Sequence, residues 1–474
     1  MIVMKFGGTS VQDAAAIRQA NEIVASRAGR HPVVVVSAMA GVTNALLEIA
    51  SAAKAGRFDE AAAAIAGLRQ RHASTATDLL AVRHSDSGPK IQEAPTADQV
   101  LVAIDRHFSE LEGLTTSIAT LGELSPRSRD AYVSFGERLS SLIVTAALRR
   151  RGLPARLIDA RAFVITDDQF TNAIPNTQET EKRARAALPP LLEAGTIPIT
   201  QGFIGSTLEG ITTTIGRGGS DYSASILGAA LEAESIEIWT DVDGMMTADP
   251  RIVPEARRIR VISFAEAAEL AYFGARVLHP STVLPAVERG IPVHIYNTRN
   301  PECEGTLIVS EARASRNLIK SIAFKRGVTI VNVTSTRMLM AYGFLRAIFE
   351  VFDRHQTPVD VVTTSEVSVS MTVDSANGAE SRKLDSIKKD LGGIGDVSVE
   401  RGKAIVCVVG DNLKFTPGVA ARLFRAIEKT NINMISQGAS EINVTFVIDE
   451  EAVESVVRAL HAAFFEETDP EVFA

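Results

Sequence analysis

Over the first ~300 residues, short runs rich in β-branched residues alternate with long alanine-rich segments, a pattern that dictates an α/β domain on a largely parallel sheet. The runs are Ile2 to Phe6, Pro32 to Ser37, Ala155 to Ile158, Thr196 to Thr200, Ser235 to Thr240 and Ile291 to Tyr296. Pro32-Val33-Val34-Val35-Val36 is continuously apolar rather than alternating, as a strand covered on both faces must be. Ligands of open α/β sheets sit at the carboxyl ends of strands. Gly7, Ser37, Gly202 and Asp241, which close four of the runs, are therefore expected along one rim.

Two of these strand ends carry glycine-rich turns with a cation. Lys5-Phe6-Gly7-Gly8-Thr9-Ser10 follows the first run, and Arg217-Gly218-Gly219-Ser220-Asp221-Tyr222 follows a later apolar stretch. Paired glycines permit positive φ and a close approach of backbone to ligand. A helix starting at Ser220 or Asp221 would add its free N–H groups and dipole to a phosphate cradle. Together the two turns point to the handling of a polyanion. The Walker loop, Gly-x4-Gly-Lys-Ser/Thr, is absent, so a different nucleotide-handling architecture is implied.

With 474 residues, the chain calls for about two or three domains. A formal net charge of −8 argues against general nucleic-acid binding. Cys303 and Cys407 have no paired ligand spacing, which disfavours a disulfide framework or zinc site and fits a reducing compartment. Met1 leads straight into a strand-like run without a secretory pattern, and no apolar stretch has membrane-spanning length. A soluble cytoplasmic protein without membrane or nucleic-acid partners is expected. Residues from about 50 to 125 read as helical, with His84 to Pro95 a solvated loop between helices.

After Pro301 the composition shifts, and Glu302 to Asn317 reads as a connector. Beyond it lies an ungapped internal repeat at a constant offset of 75 residues: Gly343 through Asp374 matches Gly418 through Asp449. Phe349 falls on Phe424, Ser365 on Ser440, Glu366 on Glu441 and Val369 on Val444. Each copy reads as a helix, a turn and two strands joined near Ser-Glu, with Val328 to Thr334 and Ala404 to Val409 as preceding strands. Such βαββ units are too small to bury a core alone, so the copies, or two chains, are expected to pair.

Several residues have both a chemical and a structural reading. Lys5 is either a phosphate ligand or a strand-end lysine reaching solvent. In Ser37-Ala38-Met39-Ala40-Gly41-Val42-Thr43-Asn44 the hydroxyls can bind a carboxylate or phosphate, or Thr43 is simply a helix N-cap. Glu137 is an acceptor for a substrate ammonium group or an exposed helix-start residue. Arg217 grips a carboxylate or phosphate with two parallel hydrogen bonds, or is a surface loop residue. Asp221 orients substrate or metal, or caps the helix. Thr240, Asp241 and Arg251 serve a nucleotide, or Asp241, Asp243 and Asp249 bind a metal, although the EF-hand spacing is not met. Mg2+ carried by nucleotide phosphates and water is the preferred reading over protein-only ligation. His279, before Pro280, reads as structural.

Taken in order, Lys5-Phe6-Gly7-Gly8-Thr9-Ser10, Phe135-Gly136-Glu137, Gly216-Arg217-Gly218-Gly219-Ser220-Asp221 and Trp239-Thr240-Asp241-Val242-Asp243-Gly244 resemble the aspartate kinases over nearly the whole chain. The repeat resembles the tandem ACT domains of that family. Gly343-Phe344-Leu345 and Val359-Asp360-Val361-Val362-Thr363-Thr364-Ser365-Glu366 are most similar to its lysine-inhibited branch.

The resemblance implies an α/β amino-acid-kinase fold, a mostly parallel sheet sandwiched by helices, followed by two ACT-type βαββ ferredoxin-like units. The expected divisions are a catalytic domain over 1–301, a connector over 302–317, and ACT units over 318–397 and 398–474. The implied reaction converts ATP and L-aspartate to ADP and 4-phospho-L-aspartate, feeding lysine, threonine and methionine synthesis. Lys5, Arg217 and Asp221 are the implied catalytic residues. Lys5, Phe6, Gly7, Gly8, Thr240, Asp241, Met246, Arg251, Arg276 and Val277 would bind ATP with its Mg2+, and no protein metal site is implied. Ser37, Thr43, Glu137, Arg217, Gly218, Gly219 and Ser220 would bind aspartate. Arg276 stands where lysine is usual, and Met246 where tyrosine is common.

For regulation, Met338, Ala341, Phe344, Leu345, Pro358, Val359, Asp360, Ser365 and Glu366 match effector positions, with lysine the first choice of ligand and threonine the second. Asp360 or Glu366 can pair the effector's amines. A homodimer or dimer of dimers through the ACT units is expected. No homoserine dehydrogenase half is expected. The alternatives are another amino-acid kinase (glutamate, uridylate or carbamate kinase) or an inactive amino-acid sensor that retains the fold. The ACT tail and Phe-Gly-Glu argue against the former. The intact Lys5, Arg217 and Asp221 argue against the latter.

Overall fold

A computed structural model describes residues 1–81, 94–274, 280–312, 315–338, 342–374 and 378–474. The loop expected from His84 to Pro95 lies almost wholly outside the described residues, as do Arg276, Val277, His279 and Ala341. The chain divides into two compact units: residues 1–244, 261–264 and 277–312, and residues 245–260, 265–276 and 313–474.

In the first unit the strands are β1 (Ile2–Phe6), β2 (Pro32–Val36), β3 (Ala155–Leu157), β4 (Ile197–Gln201), β5 (Ile204–Ser206), β6 (Thr212–Thr214), β7 (Ser235–Thr240), β8 (Val261–Ser263), β9 (Val293–Asn297) and β10 (Thr306–Val309). Eight of them form one sheet in the order β3-β4-β2-β1-β7-β9-β10-β8. The stretch from β3 to β9 is parallel throughout, and β10 pairs antiparallel with β9. All five residues of β1 and of β2 are buried, as the unbroken apolar run requires. The six expected runs are all strands of this sheet. Within the stretch expected as a connector over 302–317, Thr306–Val309 forms β10 of this sheet.

Strand order fixes where a ligand can sit. From β1 the chain crosses to β2 on one side, and after β4 it returns to β7 on the other. This reversal at β1 opens a crevice beyond the carboxyl ends of β1, β2 and β7. Helices Ala14–Ser26, Val42–Lys54, Phe135–Arg150 and Gly219–Ala230 flank the sheet. Gly7 N–H donates to Trp239 O, Ser37 N–H to Phe6 O and Ala40 N–H to Gly8 O, so the turns after β1, β2 and β7 are stitched together.

The second unit contains β11 (Ile319–Thr334), β12 (Val362–Thr364), β13 (Ser368–Asp374), β14 (Asp396–Gly410), β15 (Met434–Gln437) and β16 (Asn443–Asp449) in the order β12-β13-β11-β14-β16-β15. The repeat holds at the level of register: β11 pairs with β13 from Val328↔Asp374 to Thr334↔Ser368, and β14 with β16 from Lys403↔Asp449 to Val409↔Asn443. Helices Phe344–Arg354 and Val419–Ala426 start at the same offset.

The two copies are interleaved rather than consecutive. The first half of β11, Ile319 to Lys325, pairs with the second half of β14, and Val328 to Thr334 pairs with the first half. The expected boundary after residue 397 therefore falls inside β14. Each long strand closes the open edge of the other copy, which gives both units the partner that their size demands.

Candidate active site

Lys5 occupies the penultimate position of β1, between Val35 and Ile238 in register, and is 8% exposed. Its Nζ lies 2.6 Å from Asp221 Oδ1. Such a pair offsets part of the cost of taking a charge from water. Asp221 stands in the first turn of helix Gly219–Ala230, whose N-cap is Gly218 at φ 71°. The helix thus begins at Gly219, ahead of both expected starts, Ser220 and Asp221, and Asp221 is the ion-pair partner of Lys5, not the cap. A β-carbon on Gly219 would lie 2.6 Å from the Phe203 ring, so only glycine lets the loop seat there.

A cavity of about 330 Å³ lies over this pair. Lys5 and Gly8 line it from the first turn, Ser37 and Thr43 from the loop after β2, Glu137 from helix Phe135–Arg150, and Arg217 through Asp221 from the second glycine turn. The two cationic turns thus open onto one space. Arg217 is exposed, and its guanidinium has no ion-pair partner among the described residues. Thr43 is not the N-cap of helix Val42–Lys54; Gly41 holds that position at φ 80°.

Glu137 is 3% exposed, not a surface residue. Its Oε1 accepts from Ala38 N–H at 3.2 Å, and Oε2 has no partner among the described residues. Burial pushes its carboxyl up from 4.5 to about 8, partly offset by the Ala38 N–H. A buried acceptor facing a cavity is suited to a cation delivered by a ligand.

A second cavity, about 280 Å³, is lined by Thr9, Ser10, Asp13, Thr240, Asp241 and Arg299 among others. Gly8 and Thr9 are consecutive yet line different cavities, so the turn after β1 stands between the two. The loop after β7 is held by Asp243 Oδ1, which accepts from Asn297 Nδ2 at 2.8 Å and Asn300 Nδ2 at 3.3 Å. Asp243 is thus engaged in fixing its own loop. Phe6 is 1% exposed and stacks on Trp239 with ring centroids 6.2 Å apart, so its side chain is core and only its backbone can meet a nucleotide.

Other expected site residues lie in the second unit. Met246 O accepts from Ser321 Oγ at 2.7 Å, and Arg251 is paired with Asp249 at 2.6 Å. Neither lines either cavity. Among the effector positions, Met338, Phe344 and Val359 pack against the core of the first repeat, while Leu345, Pro358, Ser365 and Glu366 are exposed. Phe203 was not singled out from sequence, yet it lines the first cavity, with its N–H donating to Ser223 Oγ. Its only signal is its position just past the end of β4, beside Gly202.

Two glycine turns, a lysine–aspartate pair and a buried glutamate around one crevice define a phosphotransferase of the amino-acid-kinase class. Residues 1–297 match the amino acid kinase family, and residues 406–464 match the ACT domain. The chain is 38% identical over 474 residues to lysine-sensitive aspartokinase 3 of Escherichia coli, covering 98% of this chain and 99% of that one. It is also similar to two crystal structures of E. coli aspartokinase III, one in complex with aspartate and ADP (R-state) and one with lysine and aspartate (T-state). Each has a TM-score of 0.82 and 38% identity, covering 98% of this chain and 100% of that chain. The chain belongs to the aspartokinases, the ATP-dependent kinases that phosphorylate aspartate.

Proposed function

We propose that the first cavity holds L-aspartate against the terminal phosphate of ATP, and that the γ-phosphoryl group passes to the β-carboxylate there. The observation that carries this reading is the meeting of Lys5 and Arg217 on one cavity. Arg217 takes the α-carboxylate and Glu137 the α-ammonium, while Ser37, Thr43 and the amides of Gly218, Gly219 and Ser220 complete the grip. The backbone of Gly7 and Gly8, with Thr240 and Asp241, holds the nucleotide.

The β-carboxyl has an ordinary pKa near ~3.9, so the nucleophile is ionised at neutral pH and needs no general base. Its oxygen forms the new bond to the γ-phosphorus as the bond to the β,γ-bridging oxygen breaks, and ADP departs. No proton has to move. The remaining task is to bring one anion onto another. Lys5, fixed by Asp221, and the N–H groups of both glycine turns neutralise charge on the transferring group.

Asp241, exposed on the rim of the second cavity, is an oxygen donor that suits Mg2+ or its water. Among the described residues no group of three His, Cys, Asp or Glu side chains could hold a metal ion. Mg2+, when bound, supplies charge neutralisation on the phosphates. Release of ADP that depends on L-aspartate, with L-glutamate as control acceptor, tests the assignment.

For regulation, we read the first ACT repeat as a lysine site, with threonine the second candidate, and the assembly as a dimer or dimer of dimers through the ACT units. The lysine complex of the E. coli relative and the matching effector residues support the lysine site. No helix of the described residues is long and apolar enough to cross a membrane.

A further inference from the structure

Both oxygens of Asp360 are already engaged. Tyr272 Oη donates to Oδ1 at 2.6 Å, and Lys325 Nζ lies 2.7 Å from Oδ2. The Asp360 side chain is only 5% exposed, so no dissolved cation reaches it while these partners stay in place. Lys325 Nζ also lies 2.7 Å from Asp374 Oδ1. The carboxylate read as the receptor for an effector ammonium therefore already carries a lysine ammonium, supplied by the chain itself.

The other partner, Tyr272, is the last residue of helix Phe264–Tyr272. That helix is held to β11 at a second point, where buried Glu266 and Lys320 pair at 2.7 Å. Just past its end the Gly274 backbone sits against the Phe324 carbonyl, too close for any β-carbon. The Tyr272–Asp360 bond thus links the end of this helix to the effector region.

We propose that an amino acid with a side-chain ammonium binds Asp360 by exchange, displacing Lys325 Nζ and the Tyr272 hydroxyl, so that ligand binding and release of the helix end are one event. This rests on the reading of Asp360 as an effector residue. Lys325 keeps Asp374 as a partner after the exchange, so no buried charge is stranded. Tyr272 precedes Arg276 and Val277, the expected nucleotide residues, by four and five positions in the chain. A ligand shifts an equilibrium only by its differential affinity for two states. Here the two states differ in who holds Asp360.

Calorimetric titration of the full-length protein with L-lysine, and with L-threonine for comparison, tests the exchange. Removing an internal competitor should tighten binding: Tyr272→Phe and Lys325→Met are each expected to bind lysine about fivefold more tightly than wild type. Asp360→Asn should lose the interaction. Damage to packing would weaken binding, not strengthen it. If wild type binds lysine and neither Tyr272→Phe nor Lys325→Met binds it more tightly, the exchange is wrong and the effector reading survives. If neither wild type nor these variants bind lysine, the effector reading fails and takes the exchange with it.

Discussion

Lys5 Nζ and Asp221 Oδ1 are 2.6 Å apart, and this contact ties the end of β1 to the first turn of helix Gly219–Ala230. The pair does more than neutralise a partly buried lysine. It fixes the ammonium where the two glycine turns meet, at the floor of the cavity that also receives Arg217. A flexible lysine would have to be ordered during reaction, whereas a paired one is already in place.

Lys5→Ala is expected to lower turnover by about a hundred- to a thousandfold while the protein still folds. Asp221 then loses its cation, so a modest drop in melting temperature should accompany the loss. Adding Asp221→Asn should recover stability but not turnover, and thermal melts beside steady-state rates of the double-mutant cycle check both.

Arg217 is exposed and has no ion-pair partner among the described residues, so its removal strands none of them. Arg217→Ala should raise the half-saturating aspartate concentration about tenfold or more, with a smaller effect on that of ATP. Titrating each substrate at saturating levels of the other measures this. An unchanged aspartate requirement would remove Arg217 from the substrate site.

Glu137 makes two pH-dependent predictions. Its carboxyl is raised from 4.5 to about 8, so between these values the folded protein keeps a proton that the unfolded chain has lost. The contribution of this group to stability is therefore fully present below pH 4.5 and is lost as pH rises through about 8. Glu137→Gln should flatten that part of the melting-temperature profile. If Glu137 pairs the substrate ammonium, aspartate binding below pH 8 releases a proton, which calorimetry in buffers of different ionisation enthalpy detects, and Glu137→Gln abolishes the release.

Asp243 joins the loop after β7 to Asn297 and Asn300. Asp243→Ala frees Thr240 and Asp241 without touching the first cavity. The expected result is an ATP half-saturation raised several-fold, with the aspartate value unchanged. Equal changes in both would point to general loosening of the fold.

Much of this architecture is legible in the chain because its signals are long or exactly periodic: the unbroken Val33 to Val36 run, the glycine pairs after strands, and the 75-residue repeat, which extends down to strand register. Strands β5, β6 and β8 have three residues each, too few for a period, and β10 lies in a stretch whose composition reads as a connector. The interleaving of the repeats was hidden because a local pattern does not say which copy completes which sheet. Glu137 reads as a surface residue by its helix-start position, and only the fold reveals its burial. Asp221 and Lys5 are far apart in the chain, and nothing local marks them as partners. Phe203 had no signal beyond its strand-end position.

The most direct test of one shared cavity is to identify the product itself. Incubation with ATP, Mg2+, L-aspartate and hydroxylamine, followed by mass spectrometry, should yield the β-hydroxamate of aspartate with wild type, and little with Lys5→Ala or with L-glutamate as acceptor. Hydrolysis of ATP without any hydroxamate, or hydroxamate formed equally by wild type and Lys5→Ala, would contradict the phosphoryl transfer assigned to this site.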